Sequence, residues 1–366
     1  MTAPIDLVAG ARPNFMKLAP VVRALKARGG ISFRIVHTGQ HYDPGMNDVF
    51  FEQLSIPAPD VHLEVGSGSH GAQTARILER YEAHLLEHRP AGTVVFGDVN
   101  STVACALAAV KLGVPVAHVE AGLRSFDRTM PEEINRLLTD SIGNLLLVSE
   151  PSGVENLRCE GVPDEKVRLV GNVMIDTLLA ELESARALHM PANLGLVPGG
   201  YGLVTLHRPS NVDDPATLAR LLDLLMELGD SLPLVLPLHP RTQAAVARTG
   251  LTERLQSSRG LKVVAPLPYR ENLGLMASAK LVMTDSGGMQ EETTVLGVPC
   301  LTLRENTERP ITVTRGTSRL VGNDPARIRA AFDEALAGRW PSGGAIPLWD
   351  GHAGERIAHA IARWVG

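Results

Sequence analysis

Short apolar runs alternate with helical patterns along the whole chain, and this alternation constrains the fold more than any other feature. In the first half the runs fall at 5–8, 33–37, 93–96, 116–119, 145–148 and 167–170. The second half repeats the scheme at 202–206, 234–238, 261–264, 281–284, 300–303 and 320–321. Apolar runs separated by helices read as strands of parallel sheets covered on both faces. Two sets of six predict an α/β chain with two doubly wound, Rossmann-like domains. A closed barrel would need eight evenly spaced units. That spacing is broken near 171–200, where Gly171-Asn172 precedes a helix and Pro191, Pro198, Gly199 and Gly200 follow. The domains are therefore placed at 1–170 and 171–350, with a last helix at 351–366 expected to pack back on the first. Ligands of open parallel sheets sit beyond the carboxyl ends of the strands, so two such sheets predict a cleft between domains.

At 366 residues, 44% hydrophobic and 20% charged, the chain has the makeup of a globular enzyme with room for two cores. A net charge of −5 without basic block or acidic tail argues against nucleic acid as a partner. Cys105, Cys159 and Cys300 are far apart and odd in number, which reads as reduced thiols of a cytoplasmic protein. The first residues enter a strand pattern at once, without the marks of a signal peptide. No run approaches the ~18 apolar residues of a spanning helix, so no membrane partner is expected.

Several strand ends carry groups suited to chemistry. The run at 281–284 leads into Asp285-Ser286-Gly287-Gly288-Met289-Gln290-Glu291-Glu292 and a helix. Two glycines at a strand-to-helix turn let a phosphate approach free N–H groups, the Ser286 hydroxyl adds a donor, and Glu292 is placed for a ribose diol. A tight turn with an N-cap explains the same residues. A second turn, Gly10-Ala11-Arg12-Pro13-Asn14-Phe15-Met16-Lys17, sets Arg12 and Lys17 at a helix start, either to neutralise a diphosphate or as solvated charges.

Asp98 follows the third run, Glu120 the fourth, and Glu132 and Arg136 share a helix face at i, i+4. Carboxylates gathered at one sheet edge can divide into general acid and general base. Each also has a structural reading: Asp98 as a helix cap, Glu120 as a partner of Arg124, Glu132 in a capping box with Thr129. His207 and His239 end neighbouring strands, as proton carriers or phosphate donors, or as structural histidines. Gly66-Ser67-Gly68-Ser69-His70-Gly71 matches the letter of a dinucleotide fingerprint but follows a short run flanked by Pro57 and Pro59, and reads better as a loop over the cleft. No Walker A, HExxH, paired-Cys or G-x-S-x-G pattern is present, and no metal site is expected.

Taken in order, Gly10 to Pro13, Lys17 to Pro20, His37 to His41, Gly97-Asp98, His118 to Arg124, Pro131 to Arg136, Thr205 to Arg208, Thr284 to Glu292, Thr307 to Pro310 and Gly316 to Gly322 resemble the non-hydrolysing UDP-N-acetylglucosamine 2-epimerases. The resemblance spans nearly the whole chain. It implies a glycosyltransferase-B-like fold, a UDP-N-acetyl sugar substrate, a homodimer, a place in cell-surface polysaccharide synthesis, and a reaction without a cofactor. UDP is eliminated to a 2-acetamidoglucal and re-added to give the C2 epimer. By position, Asp98, Glu120 and Glu132 are the acid/base candidates and His207 serves the diphosphate side. Arg12, Lys17, Arg136, Ser286, Gly287, Gly288 and Glu292 hold nucleotide and sugar.

The chain departs from the family pattern in places. Asn14 stands where Glu is common, Val99 where a hydroxyl residue is common, and Pro209-Ser210-Asn211 where a Glu-containing segment follows the His-Arg pair. Asp43 replaces a polar contact of the substrate-activation site that Gln40-His41 otherwise match, which speaks against that regulation. Tyr269 is a weak candidate for the uracil platform. The alternatives are the same chemistry on a 2,3-diacetamido uronic acid or 6-deoxy sugar, a glycosyltransferase of the same architecture, and a non-catalytic UDP-sugar binder.

Overall fold

The computed structural model describes residues 3–40, 51–256 and 258–366, without the side chains of Arg12 and Gln256. His41 and Asp43 lie outside the described residues. Two compact units emerge, one formed by 1–180 with 347–366 and the other by 181–346.

The first unit is built on a parallel sheet of β1 (Ile5–Ala9), β2 (Phe33–His37), β3 (Val61–His62), β4 (Gly92–Phe96), β5 (Val116–Ala121), β6 (Leu145–Val148) and β7 (Val167–Leu169). Its order is β3-β2-β1-β4-β5-β6-β7. The second carries β8 (Gly202–Thr205), β9 (Leu234–Pro237), β10 (Leu261–Val264), β11 (Leu281–Thr284), β12 (Cys300–Thr302) and β13 (Ser318–Leu320), ordered β10-β9-β8-β11-β12-β13. Both chains of strands first step one way from the central strand and then the other. Right-handed crossovers therefore put helices on both faces, and each sheet has one point where the order reverses: β1 beside β4, and β8 beside β11.

Fully buried strands explain the continuous apolar runs: Ile5 to Ala9 and Gly92 to Phe96 are buried at every position. In the first unit Val8, Val36 and Val95 pack with Ile77 and Leu85 and with the small Ala104 and Ala108 of helix Asn100–Lys111. In the second unit helix Pro215–Gly229 buries Leu218, Leu221, Leu222, Leu225 and Leu228, the spacing of one helical face. Asp214 caps that helix by accepting the Thr217 N–H at 2.9 Å, and Pro215 fills its first turn. Each such leucine contributes roughly 1.5–3 kcal/mol through burial.

The short run expected before Gly66–Gly71 forms an edge strand, β3, and β13 begins at Ser318 rather than 320. Because β3 is at the sheet edge, Gly66–Gly71 lacks the central-strand setting of a dinucleotide fingerprint. The division between units falls inside helix Val173–Ala187. Its first turns belong to the first unit: Thr177 donates to the Met16 carbonyl at 2.6 Å, and Asp176 accepts the N–H groups of Ala353 and Gly354 at 3.1 and 2.6 Å. The latter pair caps helix Ala353–Val365, whose buried Ile357, Ala358 and Ile361 complete the first unit.

The end of β5 holds the most constrained backbone. Gly122 has φ 80°, and a Cβ there would lie 2.4 Å from the Gly153 carbonyl oxygen. Gly122→Ala should therefore cost about 2–4 kcal/mol of stability, read as a lowered midpoint in denaturant unfolding; an unchanged midpoint would mean the turn relaxes freely.

Candidate functional site

In the first unit the reversal point lies between β1 and β4. Asn14 ties its two sides together, accepting the Gly10 and Ala11 N–H groups at 3.1 Å each and donating to the Phe96 carbonyl at 2.9 Å. Glutamate could accept those bonds but not donate the last, so the family departure at this position has a structural reason. Arg12 opens the helix, and its side chain lies outside the described residues.

Lys17, one turn on, does not extend toward solvent. Its Nζ lies 2.6 Å from Glu120 Oε2, with both side chains nearly buried. Glu120 is not the partner of Arg124, whose guanidinium is taken by Asp140 and Glu160. Glu120 adopts φ 72°, a left-handed conformation costly for a non-glycine residue. Pairing with β6 skips it: Val119 faces Leu147 and Ala121 faces Val148, leaving Glu120 as the extra residue of a bulge.

Asp98 is half-buried after Gly97 and pairs with the fully buried Arg136. It caps nothing, since helix Asn100–Lys111 starts after Val99 without a side-chain cap. Asn135 donates to the Asp98 carbonyl at 2.9 Å. Arg136 keeps Nε and Nη1 without hydrogen-bond acceptors among the described residues. Buried guanidinium N–H groups in that state favour an incoming oxygen ligand.

The two adjacent glutamates of helix Pro131–Ile142 divide their work. Glu133 is buried and accepts from the Ser125 N–H and hydroxyl and the Phe126 N–H, at 2.8, 3.0 and 3.1 Å. It also lies 3.9 Å from Arg136 Nη1, so the i, i+4 pairing of Glu132 with Arg136 is replaced by an i, i+3 contact from Glu133. Glu132 is half-buried and makes no hydrogen bond or ion pair with another described residue. The helix begins after Met130 without a side-chain cap, so no capping box with Thr129 forms.

In the second unit the reversal point lies between β8 and β11, and one carboxylate organises it. Asp285 is fully buried and accepts the N–H groups of His207 and Arg208 and the Asn211 amide. Its Oδ1 lies 2.9 Å from His207 Nδ1. Burial alone would raise the Asp285 carboxyl, but His207 and the backbone donors hold it below its ordinary range. Nδ1 is thus committed to Asp285, and Nε2 of the part-exposed His207 is the nitrogen left for other chemistry. Asp285 was not among the site residues expected from sequence; the signal that finds it is strand order, which sets the end of β11 beside that of β8.

Ser286 precedes helix Gly287–Leu296, whose first N–H groups belong to Gly287 and Gly288. Arg309 lies against this turn: a Cβ on Gly287 would sit 2.6 Å from its Nη1, and its Nε lies 2.7 Å from Glu291. Glu292 is buried and accepts from the Tyr269 hydroxyl at 2.9 Å, which gives Tyr269 a role beside Glu292. His239 lies 5.2 Å from His207, ring to ring. Among the described residues no three His, Cys, Asp or Glu side chains are placed to hold a metal, and no helix is long and apolar enough to cross a membrane.

The chain matches known proteins along nearly all its length. A family model for UDP-N-acetylglucosamine 2-epimerase matches residues 23–362. The UDP-N-acetylglucosamine 2-epimerase of Methanocaldococcus jannaschii is 40% identical over 367 residues, covering 98% of both chains. The UDP-2,3-diacetamido-2,3-dideoxy-D-glucuronate 2-epimerase of Pseudomonas aeruginosa is 41% identical over 360 residues, covering 97% of this chain and 98% of that one. The crystal structure of the M. jannaschii enzyme in complex with UDP-GlcNAc and UDP matches with a TM-score of 0.92, covering 98% of this chain and 99% of that chain. Two doubly wound α/β domains of the glycosyltransferase-B-like class and the resemblance read from sequence both stand, and the chain belongs to the UDP-N-acetylglucosamine 2-epimerase family of isomerases.

Proposed function

We propose that this chain interconverts UDP-N-acetylglucosamine and UDP-N-acetylmannosamine by eliminating and re-adding UDP. A C2 hydrogen beside an anomeric carbon is weakly acidic, so cleavage of the C1–O bond must accompany its removal. A carboxylate takes the C2 proton, the C2–H electron pair forms the C1=C2 bond of a 2-acetamidoglucal, and the C1–O pair leaves with UDP. On return a phosphate oxygen of UDP attacks C1 and a proton reaches C2 from the opposite face, which requires two carriers.

The observation that carries this reading is the Lys17–Glu120 pair at 2.6 Å, set on a strained bulge residue one strand from the Asp98–Arg136 pair. The cationic partners fix the position of each carboxylate at its strand end. Glu132, with no partner among the described residues, is the third carrier. Arg136 offers Nε and Nη1, which have no acceptor among the described residues, to substrate oxygens. His207, oriented by Asp285, presents Nε2 to the leaving diphosphate, which Ser286, Gly287, Gly288 and Arg12 also bind. Lys17 acts first on Glu120. Glu292 accepts from the ribose.

The 41% identity to the Pseudomonas diacetamido-uronate epimerase favours a second reading, the same chemistry on that modified sugar. The working form is read as a cytoplasmic homodimer supplying cell-surface polysaccharide synthesis; the exposed Ile134 and Leu138, one turn apart on a helix, support self-association. Light scattering on the purified chain should give twice the monomer mass.

Incubation with UDP-N-acetylglucosamine in deuterated water should yield N-acetylmannosamine signals and deuterium at C2 by proton NMR. Released free sugar would instead mean hydrolysis, and turnover of the diacetamido uronate alone would select the second reading. Asp98→Asn should lower turnover by about 10²–10⁴-fold while UDP affinity stays within about threefold; equal loss of both would assign Asp98 to binding or folding.

Burial pushes the Glu292 carboxyl up to about 7, with the Glu291 charge adding to the rise against the Tyr269 hydrogen bond. The ionised form is the better acceptor for a ribose diol, so UDP binding should strengthen from about pH 6 to about pH 8 in calorimetry. The folded protein binds this proton more tightly than the unfolded chain between the ordinary value of 4.5 and about 7, so folding stability falls as pH rises through that window. Glu292→Gln, which cannot ionise, should be more stable than the parent by about 1–3 kcal/mol near pH 8 and bind UDP more weakly. A parent whose stability does not fall across the window would contradict this.

A further inference from the structure

Behind Asp98 and Glu120 lies a buried set of ionisable groups that the proton-transfer scheme does not use. His118 on β5 and Asp140 near the end of helix Pro131–Ile142 are both inaccessible to solvent. Asp140 Oδ1 lies 2.7 Å from His118 Nδ1; its Oδ2 accepts the Gly122 N–H at 3.0 Å and lies 2.7 Å from Arg124 Nη1. On the far side of the ring, His118 Nε2 lies 2.7 Å from the Gly97 carbonyl oxygen. Arg124 also holds Glu160 through two bonds of 2.7 Å.

Donor counting fixes the state of the ring. A carbonyl oxygen only accepts. Burial would raise the Asp140 carboxyl, but the His118 and Arg124 contacts hold it below its ordinary range, so it is a carboxylate and also only accepts. Both ring nitrogens must therefore donate, which is the cationic imidazolium. Asp140 inside and Glu160 at the exposed end of Arg124 together balance His118 and Arg124.

The contacts of this set end on the backbone of the two acid-bearing turns. Gly97 immediately precedes Asp98, and Gly122 lies two residues after Glu120. Gly97, Glu120 and Gly122 all have left-handed φ, at 64°, 72° and 80°. Residues in that region hold a single conformation only when their surroundings fix it. One carboxylate, directly at Gly122 and through the ring at Gly97, restrains both turns.

We propose that Asp140, acting through a cationic His118, is the positioning residue that sets Asp98 and Glu120 against the same sugar carbon. This rests on the reading of those two carboxylates as proton carriers. Neither Asp140 nor His118 need touch the substrate. Misplacing a reacting group by about 1 Å can cost about 10²-fold in rate.

Histidine-selective ¹⁵N labelling of the full chain, with the His118 signals assigned by their loss in His118→Gln, tests the ring directly. The parent should show both His118 nitrogens protonated at neutral pH, and Asp140→Asn should abolish that pattern. The same variant should exchange C2 hydrogen of UDP-N-acetylglucosamine about 10–10²-fold more slowly in kcat, with KM and UDP affinity within about threefold. A parent His118 with one bare nitrogen would overturn the proposal, even if Asp140→Asn failed to fold. So would an Asp140→Asn protein with undiminished exchange, or one that lost UDP affinity and turnover alike. A parent that carries a cationic His118 yet exchanges C2 hydrogen of neither UDP-N-acetylglucosamine nor the diacetamido uronate would instead remove the proton-carrier reading, and the positioning role with it.

Discussion

An ionised side chain at the inner end of a parallel strand has lost most of its water, and it can stay ionised only if a partner replaces the solvent. The reversal points of both sheets follow this constraint. Lys17 answers Glu120, Arg136 answers Asp98, His207 answers Asp285 and Arg309 answers Glu291. Each partner comes from a different segment than the acid it serves, so the pairs also stitch the loops together. The helix Pro131–Ile142 shows this most fully: Glu133, Asn135, Arg136 and Asp140 each grip a loop that carries or adjoins an acid.

The two units use one topology for different chemistry. Each runs its strands in the same order, and each gathers its polar residues where that order reverses. In the first unit the reversal point is rich in acids with cationic partners. In the second it offers a glycine-bearing helix start, a histidine and a cluster of arginines. The buried Glu308 of that cluster is held well below its ordinary range by Arg304, Arg309 and Arg208 despite its burial.

Much of this was legible in the residue order. Buried parallel strands produce apolar runs, and the runs placed nearly every strand; β3, with two paired residues, showed only as a short run before Gly66. The candidate residues were found because strand ends are recognisable in sequence. Their partners were not, because pairing depends on which strands become neighbours. Lys17 reads as a phosphate grip until β1 is known to lie beside β4. Glu132 and Glu133 are indistinguishable as letters; a helix rotation of about 100° per residue buries one among the N–H groups of Ser125 and Phe126 and leaves the other half-buried, with no partner among the described residues. Asp285 was visible in its motif, yet its control over His207 exists only across strands.

The bulge at the end of β5 separates architecture from activity. Because pairing resumes at Ala121 opposite Val148, Glu120 is supernumerary to the ladder. Removing that one residue would bring Val119 and Ala121 into the consecutive register that Leu147 and Val148 already hold. On the proton-carrier reading of Glu120, its reactivity would be an insertion that the β5–β6 ladder hosts without needing it.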